Sequence, residues 1–112
     1  MKKFFTTLSI SIILFSTIIA SAETLRFTVT NQTGYPLFAV FISHESEESW
    51  GRDFLGADVM MPGETRTFHV NNSAYNSTIY DIRFVDSDGD TYTFYGCIRE
   101  HNSVTLRLRD MD

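Results

Sequence analysis

Cysteine is nearly absent from this sequence, which contains a single one, Cys97, in 112 residues. No disulfide can therefore form within the chain, and packing alone must hold the fold. Three interpretations of Cys97 stay open: a buried thiol on a strand, an intermolecular disulfide and a reactive nucleophile. The sequence also lacks a glycine-rich phosphate loop and any motif that orders serine, histidine and aspartate for nucleophilic catalysis.

Lysine is missing after the third residue. Without Lys2 and Lys3, seven arginines stand against fourteen acidic residues, which leaves a net charge of −7. Such a chain repels phosphate backbones and anionic lipid headgroups, so the composition argues against nucleic acid and membrane surfaces as partners. A cationic partner or a divalent cation stays open.

The first 22 residues have the pattern of an export signal. A positive start is followed by an apolar and small-hydroxyl run over residues 4–19, and Ala20-Ser21-Ala22 has the small-x-small form that signal peptidases cleave. The most apolar part, residues 8–20, is shorter than the roughly 20 residues that a membrane-spanning helix needs. The sequence therefore predicts a bacterial signal peptide cleaved after Ala22 and a periplasmic or secreted protein without membrane insertion. An uncleaved anchor is the alternative.

Residues 23–112 predict a single domain made of strands. In residues 24–30, apolar and polar side chains alternate with a period of two, which is typical of a strand with one buried face. Residues 36–43 are apolar on both faces, which predicts a central strand covered on two sides. In residues 103–109, the alternation places Val104, Leu106 and Leu108 inward. We expect an all-β fold, a small antiparallel β-sandwich that is immunoglobulin-like or related, with a small barrel as the alternative.

The hairpin around residues 86–90 can be predicted in register. A three-residue loop, Ser87-Asp88-Gly89, places glycine at the left-handed position that such loops need. The resulting register pairs Phe84 with Tyr92, Ile82 with Phe94 and Tyr80 with Gly96 on one apolar face. The aspartates of this loop also resemble calcium ligands, but the glycine and glutamate positions of an EF-hand are not matched, so the turn is the favoured interpretation.

The longest irregular stretch, residues 44–58, holds the candidate binding residues. It begins with an acidic run and continues through an aromatic residue in polar surroundings, a placement that suits stacking on a sugar or anchoring a protein partner. The predicted binding residues are His44, Trp50, Arg52 and Asp53. In a competing interpretation, which the sequence favours, Trp50, Phe54 and Leu55 instead fold back and plug the open end of the sandwich.

No cofactor, metal site or catalytic residue is predicted. The three histidines, His44, His69 and His101, do not have the spacing of zinc ligands. The carboxylates of the 44–58 loop could hold a divalent cation weakly, but a solvated loop is the favoured interpretation.

Four motifs occur in order along the chain: Asn31-x-Thr33-Gly34-Tyr35, Trp50-Gly51-x-Asp53-x-Leu55-Gly56, Pro62-Gly63-Glu64 and Tyr80-Asp81-Ile82-Arg83. Together they resemble a family of small exported bacterial proteins that share these motifs. The resemblance implies an exported β domain and supplies no catalytic residue. Some members of that family bear the name argininosuccinate lyase, but a small β domain cannot supply the large helical, oligomeric active site of that enzyme.

These features favour a non-catalytic binding or structural module of the cell envelope that recognises an unknown protein or small ligand. One alternative is a secreted or periplasmic inhibitor or immunity-type protein that acts through the acidic loop 44–58. A second alternative is a small enzyme with an unrecognised site. A pocket lined by His44, Arg52 and Asp53 would favour the enzyme, whereas a protruding, rigid acidic loop would favour the inhibitor.

Overall fold

A computed structural model describes residues 24–97 and 102–112. The described chain forms six strands, followed by one 3-10 turn over Leu108–Asp110. The strands are β1 (Thr24–Gln32), β2 (Leu37–His44), β3 (Thr65–Asn71), β4 (Tyr80–Asp86), β5 (Thr91–Cys97) and β6 (Ser103–Arg107). The predicted signal peptide, residues 1–22, lies outside the described residues. Within them, no helix has the length and apolar character that crossing a membrane requires.

The strands form two three-stranded sheets, in the orders β3-β1-β6 and β2-β4-β5. Three of the four strand pairs are antiparallel, and β1 with β6 is the parallel one. The predicted all-β sandwich is therefore confirmed as a fold class, and it is mostly rather than wholly antiparallel. The parallel pair arises because the last strand returns beside the first one instead of forming a hairpin with its predecessor.

One hydrophobic core joins the two sheets. The alternation in β1 buries Leu25, Phe27 and Val29 as predicted, and Phe68 and Val70 of β3 extend the same inner face. Across the core, the ring of Phe27 meets Tyr80 of β4 edge-on at a centroid distance of 5.7 Å. Edge-to-face contacts of this kind add to the free energy gained from burial alone.

The prediction of β2 as a central strand is wrong, because β2 lies at the edge of its sheet. Its free edge is covered by a non-strand segment: Leu37 and Met60 exchange two backbone hydrogen bonds of 2.8 and 3.0 Å, and Phe41 bridges to Asp53. Phe38 on the outer side is half exposed. A strand with apolar side chains on both faces therefore need not lie between two other strands. In β2, the core covers one face, and the 53–60 segment covers the edge that would otherwise be open.

The hairpin register is confirmed near the turn and changes further away. Ile82 pairs with Phe94 and Phe84 with Tyr92, and Gly89 in the loop has a φ of +86°. Tyr80 does not pair with Gly96, however. It pairs with Cys97, because Tyr95 and Gly96 together oppose Asp81 in a β-bulge. Gly96 takes a φ of +71°, and its N–H donates to the Asp81 carboxylate at 2.9 Å.

The buried carboxylate of Asp86 organises this turn. One of its oxygens accepts hydrogen bonds from the backbone N–H groups of Asp88 and Asp90, at 2.9 and 3.0 Å. The other accepts the Tyr92 hydroxyl at 2.8 Å. Burial and this hydrogen bond raise the pKa of Tyr92. The carboxylate that resembled a calcium ligand in the sequence thus serves the turn itself.

The end of the chain departs from the predicted last strand. The Asp110 carboxylate accepts the Arg107 N–H at 2.8 Å, which turns the chain and leaves Leu108 exposed rather than inward. The following residues then reach β5: the Asp112 N–H donates to the Thr91 carbonyl at 2.8 Å, and its carboxylate accepts the hydroxyls of Thr91 and Thr93. The outer edge of β5 is therefore partly covered by the chain terminus.

A candidate binding groove between two sheet edges

A groove of about 300 Å³ opens between the ends of β2 and β3, the edge strands of the two sheets. The 45–54 loop and the connection between β3 and β4 complete its walls. Six residues are central to its chemistry: His44, Trp50, Arg52, His69, Asn71 and Tyr75. The volume is at the lower end of the range for small-molecule sites, which suits a compact ligand.

Aromatic rings form one wall of the groove. The imidazole of His44, at the end of β2, is buried and stacks on Tyr75 with a centroid distance of 3.9 Å and an angle of 6°. It also meets the ring of Tyr80 edge-on at 5.1 Å. Because the imidazole is held between two other rings, this wall is rigid.

Hydrogen bonds fix the tautomer of His44. The backbone N–H of Ser46 donates to Nδ1 at 3.2 Å, so Nδ1 carries a lone pair and the proton lies on Nε2. Nε2 in turn donates to the Ser77 hydroxyl at 2.9 Å. Both ring nitrogens are thus engaged within the protein, and His44 contributes its ring rather than a free base.

The two tyrosines of this wall are held as neutral phenols. The Tyr80 hydroxyl donates to the buried Asn72 side chain at 2.7 Å, and desolvation raises the pKa of Tyr80 to about 12. The Tyr75 hydroxyl donates to the Glu47 carboxylate at 2.9 Å, and this hydrogen bond raises the pKa of Tyr75. Glu47 is thereby tied to the aromatic wall.

The predicted plug divides into two parts. Leu55 is buried and Phe54 packs against the core, where its ring meets Phe68 of β3 edge-on at 6.2 Å. Trp50 is only half-buried and lines the groove, so including it in the plug is wrong. The guanidinium carbon of Arg83, from β4, lies 4.8 Å from the centre of a Trp50 ring and holds the indole at this position.

Arg52 and Asp53 have different roles although they are adjacent. The guanidinium carbon of Arg52 lies 4.0 Å from the ring centre of Phe54, and the side chain lines the groove. Asp53 instead accepts hydrogen bonds from the N–H groups of Val40 and Leu55, at 3.0 and 2.9 Å, and so fastens the loop to β2. Three of the four predicted binding residues therefore line the groove, and Asp53 holds the loop that carries two of them.

Sequence reasoning did not assign Tyr75, Asn71 or His69 to the site. Tyr75 comes from the connection after β3, and the other two come from the end of β3 itself. No local motif marks them, since they meet the 44–58 loop only after the two sheets have packed. The only sequence signal for these residues is the polar run that follows β3. It marks the end of that strand, and this end lies at the same groove as the 44–58 loop.

Neither a metal cluster nor a reactive thiol emerges from the described part of the chain. Within it, no group of three or more histidine, cysteine, aspartate or glutamate side chains could hold a metal ion. Cys97 is half-buried and packs against the core, and desolvation raises the pKa of its thiol. A raised pKa keeps the thiol protonated and disfavours its use as a nucleophile.

Comparison with known proteins supports the fold. A solved structure with a similar fold is the NMR structure of a protein from Eubacterium rectale, with a TM-score of 0.51 and 13% sequence identity. The match covers 78% of each chain. No protein-family model and no curated protein matches this sequence. At this level of identity, the likeness establishes the β architecture alone.

Proposed function

We propose that this protein is a non-catalytic binding module of the bacterial cell envelope, and that the groove between β2 and β3 is its ligand site. The observation that carries the proposal is the grouping of Trp50, Arg52 and Tyr75 from separate segments around one opening. Aromatic side chains with a few polar groups among them are typical of sites that bind small molecules.

The geometry supports binding better than catalysis or inhibition. Both nitrogens of His44 are engaged and Asp53 is outside the groove, so the combination of residues that would favour an enzyme is not present in the described structure. The 44–58 loop also does not protrude as an inhibitory arm would. Backbone hydrogen bonds join Glu45 to Ile79 and Phe54 to Val40 and keep the loop against the sheet.

The ligand site can be tested through Trp50, because it is the only tryptophan in the sequence. We expect its fluorescence to be partly quenched by iodide in the free protein, since the indole is half-buried. A low-molecular-mass extract of the cell envelope should shift the emission and protect the indole from iodide. The compound responsible can be recovered by ultrafiltration and identified by mass spectrometry.

Two variants decide whether that compound occupies the groove. Trp50→Ala should no longer retain it, whereas Phe38→Ala, which removes an exposed aromatic side chain remote from the groove lining, should retain it fully. Equal retention by both variants, or no retained compound with the unaltered protein, would contradict the proposed site.

Export is part of the proposal and rests on the N-terminal sequence. When the full gene product is expressed in a bacterium, the intact mass of the folded protein should correspond to a chain beginning at Glu23. The protein should also be released with the periplasm or the medium. A full-length form recovered from the membrane fraction would contradict this assignment.

A further inference from the structure

We infer that the groove selects a small molecule in which a flat ring carries an oxyanion, that is, a carboxylate or a phosphate. This inference rests on the proposed function and names the chemical class of the ligand. It comes from the hydrogen-bonding groups that the protein leaves free around the groove.

Arg52 supplies the positive charge. Its guanidinium lies over the Phe54 ring, a contact that occupies the flat face of the group and leaves the N–H donors at its edge. Among the described residues, the ion pairs are those of Arg66 with Asp58 and Glu64, so no carboxylate there neutralises Arg52. An exposed, pre-positioned guanidinium beside a groove matches the planar geometry of a carboxylate or phosphate.

Two further free groups of the groove act only as donors. Within the described residues, the indole N–H of Trp50 and the amide NH₂ of Asn71 have no acceptor, while the Asn71 carbonyl oxygen already accepts the Ser73 N–H at 2.9 Å. Two acceptors of the groove are already used: Nδ1 of His44 accepts the Ser46 N–H, and the Glu47 carboxylate accepts the Tyr75 hydroxyl. The side chains of Ser43, Ser49 and His69, which also line the groove, can donate as well as accept. A ligand rich in acceptors therefore complements this surface.

The aromatic wall is the reason to expect a flat ring in the ligand. Trp50, Phe54 and Tyr75 all line the groove, and each is held by a contact with a neighbouring side chain. Fixed aromatic surfaces of this kind favour flat partners, which stack on them or meet their edges.

The guanidinium of Arg52 opposes a cationic ligand at its own side of the groove. Glu47 carries the acidic charge of the groove lining, but one of its oxygens is bound to Tyr75 on the aromatic wall. A cationic ligand would therefore be attracted by the Glu47 carboxylate but repelled by the Arg52 guanidinium. An oxyanion instead gains the guanidinium of Arg52, with which no described carboxylate pairs.

The inference can be tested with four probes that share a phenyl ring: phenylacetate, phenyl phosphate, neutral phenylacetamide and cationic phenethylamine. Binding to the exported protein is followed by the emission of Trp50 and by calorimetry. We expect both anions to bind at least tenfold more tightly than phenylacetamide, and phenethylamine to bind more weakly than the amide. The ratio between phenylacetate and phenyl phosphate shows which oxyanion the groove prefers.

The variant Arg52→Gln removes the charge and keeps most of the side-chain length. It should weaken binding of the anions by about tenfold to a hundredfold, the usual effect of losing a charged hydrogen bond, and leave the amide unchanged. Arg109→Gln is the matched control, because Arg109 lies in the 3-10 turn outside the groove lining and is exposed. It should leave all four affinities unchanged.

The results that would overturn this inference differ from those that would overturn the proposed function. Equal affinity for acid and amide, tighter binding of phenethylamine, or no binding of any probe would overturn the oxyanion assignment. Suppose that the probes fail in one of these ways, but the unaltered protein retains a compound from the envelope extract that Trp50→Ala does not retain. The groove is then the binding site, and its ligand belongs to another chemical class. If Arg52→Gln and Arg109→Gln weaken binding of the anions equally, the effect is one of net charge and the assignment also fails.

Discussion

Truncation of Phe84 to alanine should lower the free energy of unfolding by about 3–5 kcal/mol. Its side chain is completely buried in β4 and meets the ring of Phe94 edge-on at 6.2 Å, so the substitution leaves a cavity that rigid neighbours cannot fill. Ile82→Ala, two residues earlier on the same face, should cost about 2–5 kcal/mol. Urea unfolding followed by circular dichroism measures both losses.

Phe38→Ala provides the comparison for this prediction. Phe38 belongs to the neighbouring strand β2, but half of its surface is exposed, so its removal should cost less than about 1 kcal/mol. A loss below 1 kcal/mol for both Phe84→Ala and Ile82→Ala would contradict the assignment of this face to the core.

Asp86→Ala should destabilise the domain by about 3 kcal/mol or more. The substitution leaves the buried Tyr92 hydroxyl without its acceptor, which costs about 1–3 kcal/mol, and it also removes the acceptor of the part-buried N–H groups of Asp88 and Asp90, which hold the turn. Thermal and urea unfolding give the size of the loss. Asp86→Asn, which keeps one carbonyl oxygen, should recover part of it.

The matched control for this prediction is Asp88→Ala in the same loop. Asp88 is exposed, and within the described structure its carboxylate accepts no hydrogen bond, so its removal should be nearly neutral. Equal losses for Asp86→Ala and Asp88→Ala would show that the effect comes from loop charge rather than from the buried acceptor.

Local patterns predicted the parts of the fold that local interactions determine. The alternation in β1 gave its buried face, and the position of Gly89 gave both the turn and the register of Phe84 with Tyr92. These predictions succeed because side-chain period and turn geometry act over a few residues. The register prediction fails at Tyr80, where the bulge at Gly96 inserts one residue that no alternation signals.

Features that depend on distant segments could not be read in the same way. An edge strand such as β2 looks central in the sequence when a segment from residues 53–60 covers its side. Leu108 continues the apolar alternation of β6, yet the Asp110 carboxylate turns the chain at that point. In both cases, a contact made by another part of the chain overrides the local pattern.

The candidate site shows the same division. His44, Trp50 and Arg52 could be proposed from one loop, because an aromatic and a charged residue in polar surroundings are visible in the sequence. The contributions of Asn71 and Tyr75 depend on the approach of the β3 edge to the β2 edge. The sequence also predicts Asp53, in the same loop, as a binding residue, whereas the hydrogen bonds that its carboxylate accepts from Val40 and Leu55 give it a supporting role.

The parallel pairing of β1 with β6 has a consequence for the order of folding. β1 is the middle strand of its sheet, and both of its neighbours follow much later in the chain, so that Thr28 of β1 pairs with Ser103 of β6. The sheet therefore cannot be completed until β6 has been synthesised, and contacts over such long sequence distances form slowly. Until then, β1 lacks one of its two neighbours, so the edge that β6 covers in the finished sheet stays open to pairing with other strands.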